Sequence, residues 1–150
     1  MFQEGPVWGA LGVSSGALTL AYLQAEKLVW LLDAGALVLP AERARGIRTA
    51  HKLFWSLSAF IGFIRSIRVL HVTGQRLKSP EATKCARARF TQASLTSTKL
   101  LLDVVHAVSW LPAGWLWGGR LRVQHAAGVA AASAALGLVM HYHARRLLPR

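Results

Sequence analysis

The chain has 150 residues, of which 53% are hydrophobic and 16% charged, yet 18 Lys and Arg against 6 Asp and Glu leave a formal net charge of +12. A mean hydropathy of +0.36 at a pI near 11.5 excludes the usual nucleic-acid-binding domain, which carries more charge and less apolar sequence, and points to a membrane or an anionic surface. The length suits one domain, and the single Cys85, beside Lys84 and Arg87, excludes an intramolecular disulfide and a multi-cysteine zinc site, so it reads as a free thiol of a reducing compartment.

The N-terminus carries Glu4 where a secretory signal would have Lys or Arg. Pro6, Pro40, Pro80, Pro112 and Pro149 divide the chain into four blocks rich in Ala and Leu, with no sustained period-two alternation and no Asn-Gly or Asp-Gly turn. The expectation is four helices and an all-α fold: a helical integral membrane protein with one or two transmembrane helices plus amphipathic interfacial helices.

In the first block no charge falls between Gly5 and Ala25, but Gly9, Gly12, Ser14, Ser15 and Gly16 weaken a spanning helix, and Glu26, Lys27 and Asp33 suggest a packed or amphipathic second half on or near the membrane. The second block opens with Arg43, Arg45, Arg48 and Lys52 and then runs uncharged from Leu53 to Ile64, twelve residues, before Arg65 and Arg68 on one helical face. A bilayer core of about 30 Å needs about 20 residues. A span near 53–72 therefore requires the two arginines to snorkel, meet a protein partner or sit near headgroups, and the alternative is an interfacial helix with those arginines on lipid phosphates. From Thr73 to Arg89 a basic connector carries Arg76, Lys78, Lys84, Arg87 and Arg89 against Glu81.

The third block is amphipathic, with Thr96, Lys99, Asp103 and His106 in one stripe and Lys99 and Asp103 spaced to pair at i,i+4. It leads into SWLPAGWLWGGR, where Trp110, Pro112, Trp115, Trp117 and Arg120 cluster; indoles in such a turn either anchor it at the membrane interface or pack between helices. The fourth block is the best span: Val123 to Tyr142 holds twenty residues without Asp, Glu, Lys or Arg, bracketed by Arg120 and Arg122 and by Arg145 and Arg146. Ala127, Ala131 and Ala135 form a small-residue row, flanked by Gly128 and Ala132 and by Ser133 and Gly137, that permits close helix packing.

Six scattered acids, six histidines and one cysteine form no catalytic constellation or cofactor site. His141 and His143 make one close pair, two ligands short of a zinc site, and an interfacial role suits them better. With spans at 53–72 and 123–142 the basic connector would lie on the side opposite both chain ends, so either the usual bias of Lys and Arg is weak in this membrane or the first span does not cross.

Trp110-Leu111-Pro112-Ala113-Gly114, then Leu116-Trp117-Gly118-Gly119-Arg120 and an apolar helix, resembles the C-terminal region of the peroxin-11 family, most of all its gamma-type members. Glu26-Lys27-Leu28-Val29-Trp30, the helix with Trp55, Gly62 and Arg65, and Gln75-Arg76-Leu77-Lys78-Ser79-Pro80 fall in the matching order, so the resemblance covers residues 20–145. It implies a peroxisomal membrane protein with both termini in the cytosol that promotes elongation and proliferation of the organelle. It also implies self-association, as homo-oligomer or family hetero-oligomer, and work with the fission machinery. From the residues themselves the expected mechanism is shallow insertion of the helices ahead of the last span into one leaflet, with the basic flanks on anionic lipid headgroups. Family members carry further amphipathic helices ahead of this region, so the chain is similar to a C-terminal portion or short form. A helical pore using Arg65 and Arg68 is the alternative function.

Overall fold

The computed structural model describes residues 5–78 and 84–147, and among them four helices and no strand. Pro6, whose missing N–H costs nothing in a first turn, opens α1 (Pro6–Asp33). The helix continues unbroken through Gly9, Gly12 and Gly16, although glycine weakens a helix. It stops where Gly35 takes φ 71 and the amides of Gly35 and Leu37 return to the carbonyls of Leu32 and Leu31, a left-handed cap that a side chain would strain. Pro40 precedes α2 (Ala41–Leu77), a 37-residue rod about 56 Å long that fuses the basic opening of the second block to its apolar run. α3 (Lys84–Ser109) and α4 (Val123–Leu147) follow.

Each helix packs on the next, α1 on α2, α2 on α3 and α3 on α4, and no other helix pair is in contact among the described residues. The pairing is antiparallel throughout. Arg68 covers Trp8, the hydroxyls of Thr19 and Ser58 meet at 2.9 Å, and Asp33 pairs with Arg48, fixing α1 against α2. Phe90 lies against Gly74, Leu100 against Gly62 and His106 against Trp55, fixing α3 on α2. Lys99 lies against Gly137 and Asp103 accepts from Ser133, fixing α4 on α3.

A single layer of helices buries little, and what it buries is small. The buried hydrophobics are Ala25, Ala93, Val104, Ala107, Val108, Leu111 and Ala126, while Ser56, Ser66, Thr73, Ser97, Ser109 and Ser133 are buried beside them. Val7, Val13, Leu20, Trp30, Phe60, Ile67, Leu138 and Tyr142 face outward. Small and hydroxyl residues between helices with large apolar residues outside is the arrangement of helices packed in lipid, where the hydrophobic effect does not drive helix association. In agreement, α1, α2 and residues Val123–Tyr142 of α4 are each long and apolar enough to cross a membrane. α1 thus joins the two spans expected from the sequence as a third candidate.

Candidate membrane-interface site

Folding the array antiparallel gathers charge at its two ends. One end holds Arg43, Arg45 and Arg48 at the start of α2 together with Arg120 and Arg122 before α4; the other holds Arg65, Arg68, Arg76 and Lys78 late in α2 with Lys84, Arg87 and Arg89 early in α3. Between them lies the uncharged run of α2, and the charges that α3 brings into this middle zone are paired. Lys99 Nζ donates to Asp103 at 2.6 Å, and Ser133 of α4 donates to the other carboxylate oxygen. Hydroxyls are handled the same way: those of Ser56, Thr73, Ser94, Thr96 and Thr98 each donate to a carbonyl one turn earlier in their own helix.

Arg65 and Arg68 turn toward α1. The Arg68 guanidinium sits 4.3 Å from the centre of the Trp8 ring, and a methyl group at Gly12 would lie 3.4 Å from the guanidinium of Arg65. Both arginines therefore have the chain's own first helix as a neighbour, whichever of the spanning and interfacial readings of α2 holds.

SWLPAGWLWGGR folds as a tight, hydrogen-bonded loop. The Trp115 amide returns to the Pro112 carbonyl at 3.2 Å, the Gly118 amide to the Trp115 carbonyl at 2.8 Å, and the Gly119 amide to the Ser109 carbonyl at 3.2 Å. Gly118 is buried, and a Cβ there would fall 2.6 Å from the Pro112 carbonyl oxygen, so the loop closes only on glycine. Gly114 and Gly119 take positive φ, as does Leu116 at φ 53, which holds its side chain out.

The three indoles divide between the two roles that the sequence left open. Trp117 is the inner one: its Nε1–H donates to the Val105 carbonyl at 3.2 Å, and it packs on the core of Val104, Val108 and Leu111. Trp110 and Trp115 are about half exposed, and Leu116 is 69% exposed. Arg120 is exposed at the foot of the loop and Pro112 on its outer side. Between the loop and α2 runs an open apolar groove of about 550 Å³, walled by Leu57, Phe60, Leu111, Trp115 and Leu116.

Of the small-residue rows, Ala127, Gly128, Ala131, Ala132 and Ala135 stand exposed, whereas Gly137 lies against Lys99 of α3. The face that α4 turns to α3 is the neighbouring one, through Ala126 and Ser133. Of the His141–His143 pair, His141 is exposed and the side chain of His143 lies outside the described residues, as do those of Arg145 and Arg146.

Missed at the level of sequence is a ladder of rings across three helices. His51 stacks on Tyr22 at 4.9 Å, Tyr22 lies 6.4 Å from Trp55, Trp55 meets His106 edge-on at 5.4 Å, and His106 meets Trp110 at 6.0 Å. His106 Nδ1 also reaches the Ala126 carbonyl at 3.0 Å, and Lys52 lies 5.8 Å from the Trp110 ring. The signal was present as His51 and Trp55 on α2, then His106 on α3 and Trp110 just past its end, each pair four residues apart; which helix each pair faced was not.

The Peroxisomal biogenesis factor 11 (PEX11) family model matches residues 2–141. The chain is 30% identical to Peroxisomal membrane protein 11C of Mus musculus over 120 residues, 73% of this chain and 48% of that protein. It is 32% identical to Peroxisomal membrane protein 11C of Homo sapiens over 109 residues, 66% of this chain and 44% of that protein. The chain thus spans about half the length of the curated relatives it matches, and no solved structure matches it. Both relatives agree with the gamma-type resemblance of the tryptophan loop and the helix that follows it. With a model match across nearly the whole chain and an array built for lipid, this protein belongs to the peroxisomal biogenesis factor 11 family of peroxisomal membrane proteins.

Proposed function

We propose that the chain promotes elongation, proliferation and division of peroxisomes by adding area to one leaflet more than to the other while it self-associates through exposed helix faces. The observation that carries this reading is the tryptophan loop. It projects Trp110, Trp115 and Leu116 beside Arg120 at one end of the array, a wedge of aromatic rings and basic charge suited to headgroup depth. The exposed Ala127, Ala131 and Ala135 row supplies a face on which another helix can pack closely, in a second copy or a family relative. The fission machinery enters as a partner by family resemblance.

Purified protein added to vesicles containing anionic lipid should draw them into tubules, and replacing Trp115 and Leu116 with Ser should abolish tubulation at equal membrane density. Unchanged vesicles at high surface density of the unaltered protein would refute the reading. The pore alternative finds less support, because Arg65 and Arg68 are turned into the α1 interface. Single-channel conductance lost on replacing both arginines would reinstate it.

A further inference from the structure

Where α2 finishes and α3 begins, the two helices diverge around a groove of about 270 Å³. Val69, Ala93 and the buried Ser66 and Thr73 make its walls, and Arg76 and Arg89 stand in its lining. The hydroxyls of Ser66 and Thr73 donate to the carbonyls of Phe63 and Val69 at 2.7 Å, which leaves those walls effectively apolar. Gln92 and Thr96 complete the lining, and the Thr96 hydroxyl is spent on the Gln92 carbonyl, so the charged donors offered to a ligand come from the guanidinia, with the neutral Gln92 amide beside them. Arg76 has an interaction of its own, and the five N–H donors of a guanidinium leave others for a ligand.

Apolar walls beneath two arginines select an amphiphile over a soluble anion. The surroundings select its charge: Arg76, Lys78, Lys84, Arg87 and Arg89 face a single acid, Glu81, in this part of the chain. The groove lies just beyond the uncharged run of α2, beside exposed Val69, so it stands where the apolar stretch of the helix gives way to basic charge. Its volume matches about nine waters, room for a phosphate and the first part of an acyl chain, whose remainder leaves through the open side.

We propose that this groove is a site for one anionic phospholipid, with the phosphate held by Arg76 and Arg89 and the acyl chain laid along Val69 and Ala93. The site deepens the proposed membrane function and rests on it only for membrane residence. Bidentate guanidinium contacts to phosphate supply the affinity and its preference for anionic headgroups.

The test titrates dioleoyl phosphatidic acid into the full chain in neutral detergent and counts retained lipid by native mass spectrometry. One lipid per chain is expected. Arg76→Gln with Arg89→Gln should weaken retention about tenfold or more, the scale of lost charge-assisted hydrogen bonds. Arg43→Gln with Arg45→Gln, which removes equal charge at the other end of the array, should change it less than about twofold. Ala93→Leu, which fills the groove without altering charge, should also weaken retention, and it decides the matter by itself if circular dichroism shows that the arginine variant has lost its helices. Equal losses in both arginine pairs, no loss at Arg76 and Arg89, or retention untouched by Ala93→Leu would each overturn the site. Displacement of the lipid by inorganic phosphate at equal concentration would show a free-phosphate site and overturn it too. Tubulation measured on the same preparations reads the proposed function separately.

Discussion

Gly118 concentrates what single residues decide here. The backbone of the tryptophan loop folds back so closely that the Pro112, Leu111 and Trp115 carbonyl oxygens all lie within 2.9 Å of where a Cβ would be. Gly118→Ala must push that backbone apart, and it is expected to cost about 1–3 kcal/mol, the usual scale of overpacking. Reversible unfolding in mixed micelles measures the cost, and an unchanged midpoint would mean that the loop is looser than this geometry. Trp117 shows the complementary limit of residue-level reading. A run of three indoles announces an interface or a packed turn, but nothing in WLPAGWLWGG says that Trp117 turns in to the Val105 carbonyl while Trp115 turns out.

Among the elements, helix existence was legible and helix pairing was not. Proline spacing and Ala/Leu-rich blocks predict four helices because those signals are local, and four are found. α1 was undervalued because glycine lowers helix propensity in water; along this helix Gly12 instead admits the Arg65 side chain. Two arginines late in an apolar helix are thus seated against α1, Arg65 beside Gly12 and Arg68 over the Trp8 ring. Register can be tested directly. In a Cys85→Ser background, Thr19→Cys with Ser58→Cys should form an intramolecular disulfide readily, since their hydroxyls meet at 2.9 Å. Ala127→Cys, exposed on α4, should form disulfides only between chains. Failure of the first pair to close under mild oxidation would refute the antiparallel α1–α2 register.

For the whole molecule, we propose a topology of four crossings, which shifts the conflict over Lys and Arg away from the basic connector. α3 lies antiparallel between α2 and α4, from Phe90 at Gly74 to Lys52 at Trp110 and from Lys99 at Gly137 to His106 at Ala126. α3 is not among the helices long and apolar enough to cross by themselves, but if α2 and α4 cross the bilayer it crosses between them. Its Lys99–Asp103 pair is neutralised and the hydroxyls of Ser94, Thr96 and Thr98 are bonded to its own carbonyls, while the buried Ser97 hydroxyl has no partner among the described residues. Four crossings put residue 5, the basic connector and the end of α4 on one side, and the tryptophan loop on the other. With the termini in the cytosol, the connector then obeys the bias of Lys and Arg, while Arg43, Arg45, Arg48, Arg120 and Arg122 at the tryptophan-loop end stand against it. In intact organelles, tags at both ends and at Thr83 should all be cleaved by external protease, while one in the tryptophan loop is protected. Protection at Thr83 with cleavage at both ends would return the chain to two crossings.

By itself the sequence determined the all-helical class, the membrane as solvent and the family, because composition, helical periodicity and the tryptophan motif are properties of contiguous residues. Only the tertiary structure decided which residues meet: Arg68 and Trp8, Asp103 and Ser133, with Arg76 and Arg89 brought to the lining of one groove. The physical reason lies in the solvent. In water, burial of large apolar side chains would mark the packed faces in advance, whereas in lipid those side chains point outward and the contacts fall to alanine, glycine and hydroxyl residues. Their spacing recurs on several faces of α4, and the face that packs on α3 was settled by Asp103 opposite Ser133, a meeting of residues 30 positions apart.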